Sequence, residues 1–262
     1  MAVFHLLGPF AVAPHPPEDT VPVVRGPKVR TLLCLLLLNS GTLVTMDQMM
    51  SELWGERAVA SAVPTVRTHV HRLRRALTPR DGGGRGARIH TSGSGYVLDL
   101  GDDRTDVLAF QESADRGRAL LEREAYTEAA RELRRALSHW RGPALVDVSH
   151  GRYLEREAAL LEDQRLSVLR QRITTDLRLG RHSALVGELR GLVAAHPLDE
   201  RLYGCLIESL YRDGRREEAL RAYERIRRAL DVELGLEPAP FLEELRNRIR
   251  SPGPGRARCT TA

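Results

Sequence analysis

The sequence predicts a mainly α fold with a small β component: an N-terminal winged helix-turn-helix followed by an all-α tetratricopeptide-like helical domain. Three observations lead there. Aliphatic residues abound while Phe, Trp and Tyr make up 5% of the 262 residues, a balance that favours helix packed on helix. The formal net charge of +5 sits entirely in the first third, where residues 1–98 hold 11 Lys and Arg against 6 Asp and Glu, and residues 99–262 hold 29 against 29. Finally, Gly180-Arg181 and Gly214-Arg215 stand 34 residues apart and open similar passages, GRHSALVGELRGLVAAHP and GRREEALRAYERIRRALD. That period belongs to stacked helix-turn-helix repeats, and EAYTEAARELRRAL reads as an earlier, degenerate copy.

FHLLGPFAV (4–12) and TVPVVRG (20–26) read as two strands around a proline-rich loop. VRTLLCLLLLN is apolar nearly all round, as a buried helix is, and Asn39-Ser40-Gly41 ends it. In TMDQMMSELWGE, Thr45 and Gln48 have capping-box spacing, and Met46, Met49, Met50, Leu53 and Trp54 follow at helical intervals up to Gly55. SAVPTVRTHVHRLRRAL comes next, with Ser61 as N-cap and Pro64 in the first turn, where a missing N–H removes no intrahelical bond. DGGGRGA (81–87) is a linker, and ARIHT with GYVLDL forms a hairpin across Ser92-Gly93-Ser94-Gly95. Two helices joined by a tight turn, then a hairpin, make a helix-turn-helix with a wing. The expected boundaries are residues 1–103 for this domain, 104–250 for the helical domain and 251–262 for a disordered tail.

The helix at 61–77 carries the chemistry. Val66, Val70, Leu73 and Leu77 recur at +4, +3 and +4 as a buried stripe. Thr68, His71, Arg72 and Arg75 then face outward, with Arg67 and Arg74 on the flanks and no acid anywhere on the helix. Arg72 and Arg75 can each donate two parallel hydrogen bonds to guanine, and Thr68 can touch a thymine methyl or a phosphate. His69, His71 and the Trp54 indole can donate to phosphates, as can the backbone amides at the helix start capped by Thr45.

Other constellations point away from catalysis. GGGRGAR lacks the G-K-[ST] ending of a phosphate loop and reads as linker. His69 and His71 point in different directions on their helix and do not pair around a metal. Asp102, Asp103 and Asp106 suit helix capping better than cation binding, and Trp140 reads as a core anchor. Cys34, Cys205 and Cys259 are odd in number and widely spaced, so neither a disulfide framework nor a zinc site is expected. The apolar run 31–38 falls short of the roughly 20 residues of a membrane span. No enzyme activity, metal, cofactor or membrane partner is expected, and the expected location is cytoplasmic, at the nucleoid.

With these residues assembled, the chain resembles the Streptomyces antibiotic regulatory protein (SARP) family of transcriptional activators. The likeness runs from about Phe4 to about Ile249 through LGPF, PKVRTLLCLLL, LWGE, VRTHVHRLRRAL, GSGYVLDL, ALSHWRGPAL, PLDERLYGCLIESLYRDGRREEALRAYERIRRAL and LGLEPAPFLEEL. It implies an OmpR-type winged helix and a bacterial transcriptional activator domain. It further implies binding to direct repeats of promoter DNA near the −35 region as side-by-side protomers, with recruitment of RNA polymerase through its σ factor to switch on a secondary-metabolite gene cluster. The family places phosphate donors at the positions of Trp54, His69 and His71, and base-reading arginines at those of Arg72 and Arg74. Its basic wing residue falls on Ser92, so His90 or Arg88 stands in as substitute, and Pro64 occupies the place of a basic phosphate contact. The alternative, from another class, is a helical-repeat adaptor whose basic module docks an acidic protein or RNA.

Overall fold

A computed structural model describes residues 2–14, 24–55, 61–78 and 86–251. Residues 81–85 of the expected linker, most of the strand expected at 20–26 and the tail beyond Ser251 lie outside them. The described chain forms two compact units, Met1–Ala119 with Arg131–Leu169, and Leu120–Ala130 with Arg170–Ala262. The first unit therefore runs past residue 103 and takes in part of the helical region.

In the first unit, FHLLGPFAV is two strands rather than one. β1 (Ala2–His5) turns back through Gly8-Pro9 and pairs antiparallel with β2 (Ala11–Pro14). A proline without an N–H cannot continue a ladder, so the chain reverses there. Residues 24–26 are not strand. The opposite edge of β1 pairs in parallel with the two-residue β6 (Arg104–Thr105). α1 (Pro27–Leu38) starts on its proline and buries Val29 and the run Leu32–Leu37. β3 (Leu43–Thr45) leads into α2 (Met46–Trp54), where Thr45 and Gln48 form the expected capping box. α3 (Ala62–Leu77) follows, then β4 (Arg88–Ser92) and β5 (Gly95–Asp99), which form with β3 an antiparallel sheet in the order β3-β5-β4. Ser61 sits at the N-cap of α3, yet its hydroxyl makes no cap bond.

The aspartates expected to cap a helix do something else. Asp103 accepts from the Ala2 and Ala87 backbone N–H groups at 2.6 and 2.8 Å. Asp106, 2% exposed, opens α4 (Asp106–Glu122) but accepts from Leu6 and Leu7 N–H at 2.8 and 3.1 Å. Thr105 supplies the cap instead, its hydroxyl accepting from Leu108 N–H at 3.2 Å. Asp106 is drawn off because the N–H groups after β1 have no strand partner, and a buried donor left unpaired costs about 1–3 kcal/mol. Trp140 is a core anchor, edge-on to Phe110 with ring centroids 5.5 Å apart.

The segment between α5 (Tyr126–Leu137) and α6 (Arg152–Arg178) is bonded along its length to the winged helix. Arg141 and Leu145 N–H donate to the Leu7 and Leu6 carbonyls. Asp147 accepts from Phe10 N–H at 2.6 Å and from the Arg30 guanidinium at 2.8 Å, and the Thr31 hydroxyl donates to the Ser149 carbonyl at 3.0 Å. Glu52 of α2, 6% exposed, accepts from Gly151, Tyr153 and Leu154 N–H at 2.7, 3.0 and 3.2 Å, which caps the first turn of α6. Gly151 is required there because a Cβ would collide with the Glu52 backbone carbonyl and carboxylate.

In the second unit α7 (His182–Ala195), α8 (Glu200–Arg212), α9 (Arg216–Leu234) and α10 (Pro240–Arg250) pack in succession, α10 lying against both α8 and α9. The 34-residue repeat is visible in the backbone. Gly180 and Gly214 adopt φ of 76° and 78°; each donates three residues back, to Leu177 and Tyr211, while the next residue donates five back, to Asp176 and Leu210. This pair of bonds closes a helix end when one residue turns left-handed. The degenerate copy makes the same turn at Glu124, φ 57°, with Glu124 N–H to Leu121 and Ala125 N–H to Leu120. A side chain at that φ costs about 1 kcal/mol that glycine avoids. Glu124→Gly is therefore expected to raise stability by about 0.5–1 kcal/mol, net of the extra entropy of the unfolded glycine, read as a higher thermal midpoint.

Candidate nucleic-acid interface

α3 presents its basic face as its periodicity requires. Val66, Val70, Leu73 and Leu77 are buried, and Arg67, Thr68, His71, Arg72 and Arg75 are exposed. Arg67, Arg72 and Arg75 pair with no carboxylate among the described residues. The Thr68 hydroxyl donates back to the Pro64 carbonyl at 3.0 Å, which leaves its methyl as the outward group.

Two of the expected contact residues are engaged or enclosed within the fold. Arg74 turns toward the wing: Nε donates to the Ile89 carbonyl and Nη2 to the Thr91 hydroxyl, both at 2.9 Å, and the guanidinium lies 5.6 Å from the Tyr96 ring centre. It holds the hairpin against α3 where the resemblance had it read bases, because a flank position reaches the neighbouring strand before it reaches a groove. His69 is half-buried, and neither ring nitrogen reaches solvent or a partner among the described residues. Burial, with Arg72 and Lys28 nearby, holds its imidazole below the usual pKa. His71, by contrast, is exposed.

Thr45 and Trp54 stand at the two ends of α2. The Thr45 hydroxyl is committed to Gln48, and Met46 N–H donates to the Ser94 carbonyl at the wing tip at 3.0 Å. The start of α2 is thus locked to the hairpin and offers fewer amides to an anion than a bare helix end. Trp54 is half-buried, and the Lys28 ammonium sits 4.4 Å from the centre of its ring. Lys28 escaped the reading of the sequence, although it is the single lysine among 40 basic residues. Glu52 escaped too, since its partners are backbone groups about 100 residues onward.

On the wing, Arg88, His90 and Ser92 alternate along one exposed face of β4, opposite buried Ile89. Gly93-Ser94 makes a two-residue turn with Gly93 at φ 49°. Ser92 is at the tip, with His90 and Arg88 progressively further from it.

A helix-turn-helix with a basic exposed helix, and a hairpin clamped beside it, defines a winged-helix DNA-binding transcription regulator. Residues 21–98 match the C-terminal domain of transcriptional regulatory proteins and residues 105–250 the bacterial transcriptional activator domain. The chain is 40% identical to regulatory protein DnrI of Streptomyces peucetius over 96% of its own length and 93% of that protein. It is 38% identical to regulatory protein AfsR of Streptomyces coelicolor over 90% of its length, which spans 23% of AfsR. The solved structure of Mycobacterium tuberculosis EmbR in complex with a low-affinity phosphopeptide superposes with a TM-score of 0.83 at 29% identity, over 95% of this chain and 64% of that one. The chain belongs to the Streptomyces antibiotic regulatory protein family. Among the described residues no helix is long and apolar enough to cross a membrane.

Arg74→Ala is expected to release the hairpin, lowering stability by about 1–3 kcal/mol and weakening DNA sequences of every kind alike in a retardation assay. For His69 the unfolded chain takes up a proton near pH 6.5 while the folded chain resists it. The unfolded state then binds more protons, so stability falls as pH drops below about 6.5. His69→Gln should flatten that fall in denaturant midpoints measured from pH 7 to 5.

Proposed function

We propose that this protein is a sequence-specific transcriptional activator. It binds direct repeats near the −35 region of a promoter as side-by-side protomers, recruits RNA polymerase including its σ factor, and switches on a secondary-metabolite, antibiotic-type gene cluster. The observation that carries this is the face of α3, where Arg72 and Arg75 stand exposed, unpaired among the described residues and free of any acid on their helix. Leaving these cations uncompensated, in a chain where many other arginines meet carboxylates, fits a polyanionic partner. Base reading is assigned to Arg72, Arg75 and the Thr68 methyl, and phosphate contact to Arg67, His71, Trp54 and Lys28, with the wing face of Arg88, His90 and Ser92 toward the adjacent groove. The match of residues 105–250 to the bacterial transcriptional activator domain supports the activator part of the proposal, and the names of DnrI and AfsR as regulatory proteins support a regulatory role.

The test is footprinting and retardation on promoters flanking the gene. Arg72→Ala should relax base preference at one position of each repeat, at a cost of about 1–3 kcal/mol. His71→Ala should weaken all sequences equally. Wild-type affinity should fall with salt at a log–log slope of about −0.9 per phosphate neutralised. A footprint indifferent to Arg72→Ala overturns the assignment.

A further inference from the structure

We propose that the outward face of α9 is a docking surface for an acidic, partly apolar helical segment of a protein partner. This rests on the activator reading above, which makes that partner part of the transcription machinery. Arg221, Arg225, Arg228 and Val232 follow one another at +4, +3 and +4, within an arc of about 60° on the helix. The opposite face, with Ala219, Ala222, Tyr223, Ile226 and Leu230, is buried, so the arginine row points away from the core.

With Arg250 at the end of α10, these arginines line a cleft of about 510 Å³ that contains one carboxylate, that of Glu224. Glu224 is itself engaged by Arg227 at 3.0 Å. Elsewhere in the unit arginines meet carboxylates directly, as Arg190 meets Glu218, Arg212 meets Glu208 and Arg246 meets Glu243. In the cleft, Arg228 and the Arg250 guanidinium meet none among the described residues, and Arg221 has only the largely exposed Glu217 at 3.8 Å.

The row ends on Val232, 82% exposed, with Leu236 beyond it 57% exposed. Exposed aliphatic side chains continuous with a cationic row distinguish the occupant. A nucleic-acid backbone satisfies the arginines and leaves the valine in water, whereas a helix carrying Glu or Asp beside Leu satisfies both.

The test uses the full chain with Arg225→Gln/Arg228→Gln and, separately, Val232→Asp. Arg225 also hydrogen-bonds the Tyr203 phenol, so the exposed Val232 supplies a variant that leaves the core untouched. A labelled Glu- and Leu-rich helical peptide is titrated by fluorescence anisotropy, with its Lys-for-Glu counterpart as control. Binding of the acidic peptide alone is expected, weaker by about tenfold in each variant. Transcription by purified polymerase holoenzyme should fall by a similar factor while promoter retardation stays unchanged. Equal peptide binding by wild type and both variants overturns the proposal, as does a parallel loss of promoter retardation, which would make the face a DNA contact. Absence of promoter retardation by the wild type would instead defeat the activator reading, and the peptide titration would still decide the surface.

Discussion

A carboxylate removed from water needs donors, and two buried ones in the first unit, Asp106 and Glu52, find them in backbone N–H groups about a hundred residues away, while the exposed Asp147 bridges the chain in the same way. Asp106 holds Leu6 and Leu7, Glu52 holds the first turn of α6, and Asp147 holds Phe10 together with Arg30. Each accepts at least two bonds, and for the buried Asp106 and Glu52 hydrogen bonds to a charged group contribute about 1.5–3 kcal/mol apiece. Remove one of these acceptors and several donors become orphans together. The N-terminal sheet, α1, α2 and the 141–154 segment are set in place by this arrangement, and α3 is set in turn by packing on α1 and α2.

The interface on α3 is accordingly held from two sides. Its buried stripe fixes its rotation, while Arg74 fixes the hairpin by two hydrogen bonds and a ring contact. Ser94 then ties the hairpin tip back to the start of α2. Helix, wing and capped helix start form a closed circuit, so the exposed arginines project from a frame already shaped, which in the proposed binding to a duplex leaves less ordering to be done.

Much of this was legible in the sequence because it is periodic or local. The α3 stripe, the Thr45–Gln48 box, the hairpin turn and the 34-residue repeat depend on residues within a turn of one another or on a fixed spacing. β3 and β6 escaped because two or three residues carry no period to detect. The strand expected over 4–12 split because the apolar run hid the force of Gly8-Pro9. The backbone partners of the carboxylates Glu52, Asp103, Asp106 and Asp147 escaped for a deeper reason: a backbone N–H is the same at nearly every residue, so no pattern announces which one a distant acid will take. Arg74 and His69 show the same limit on a smaller scale, since a helical wheel gives direction but not what lies within reach of the side chain.

Glu52 has a practical meaning for anyone dissecting the molecule. A fragment cut where charge and periodicity change, near residue 103, would part that glutamate from Gly151, Tyr153 and Leu154, and would part Asp106 from Leu6 and Leu7. The DNA-reading half so isolated would expose an acid shaped to seat a helix and a strand end with nothing to grip. An independently folding fragment has to carry its scaffold with it, through the opening turns of α6.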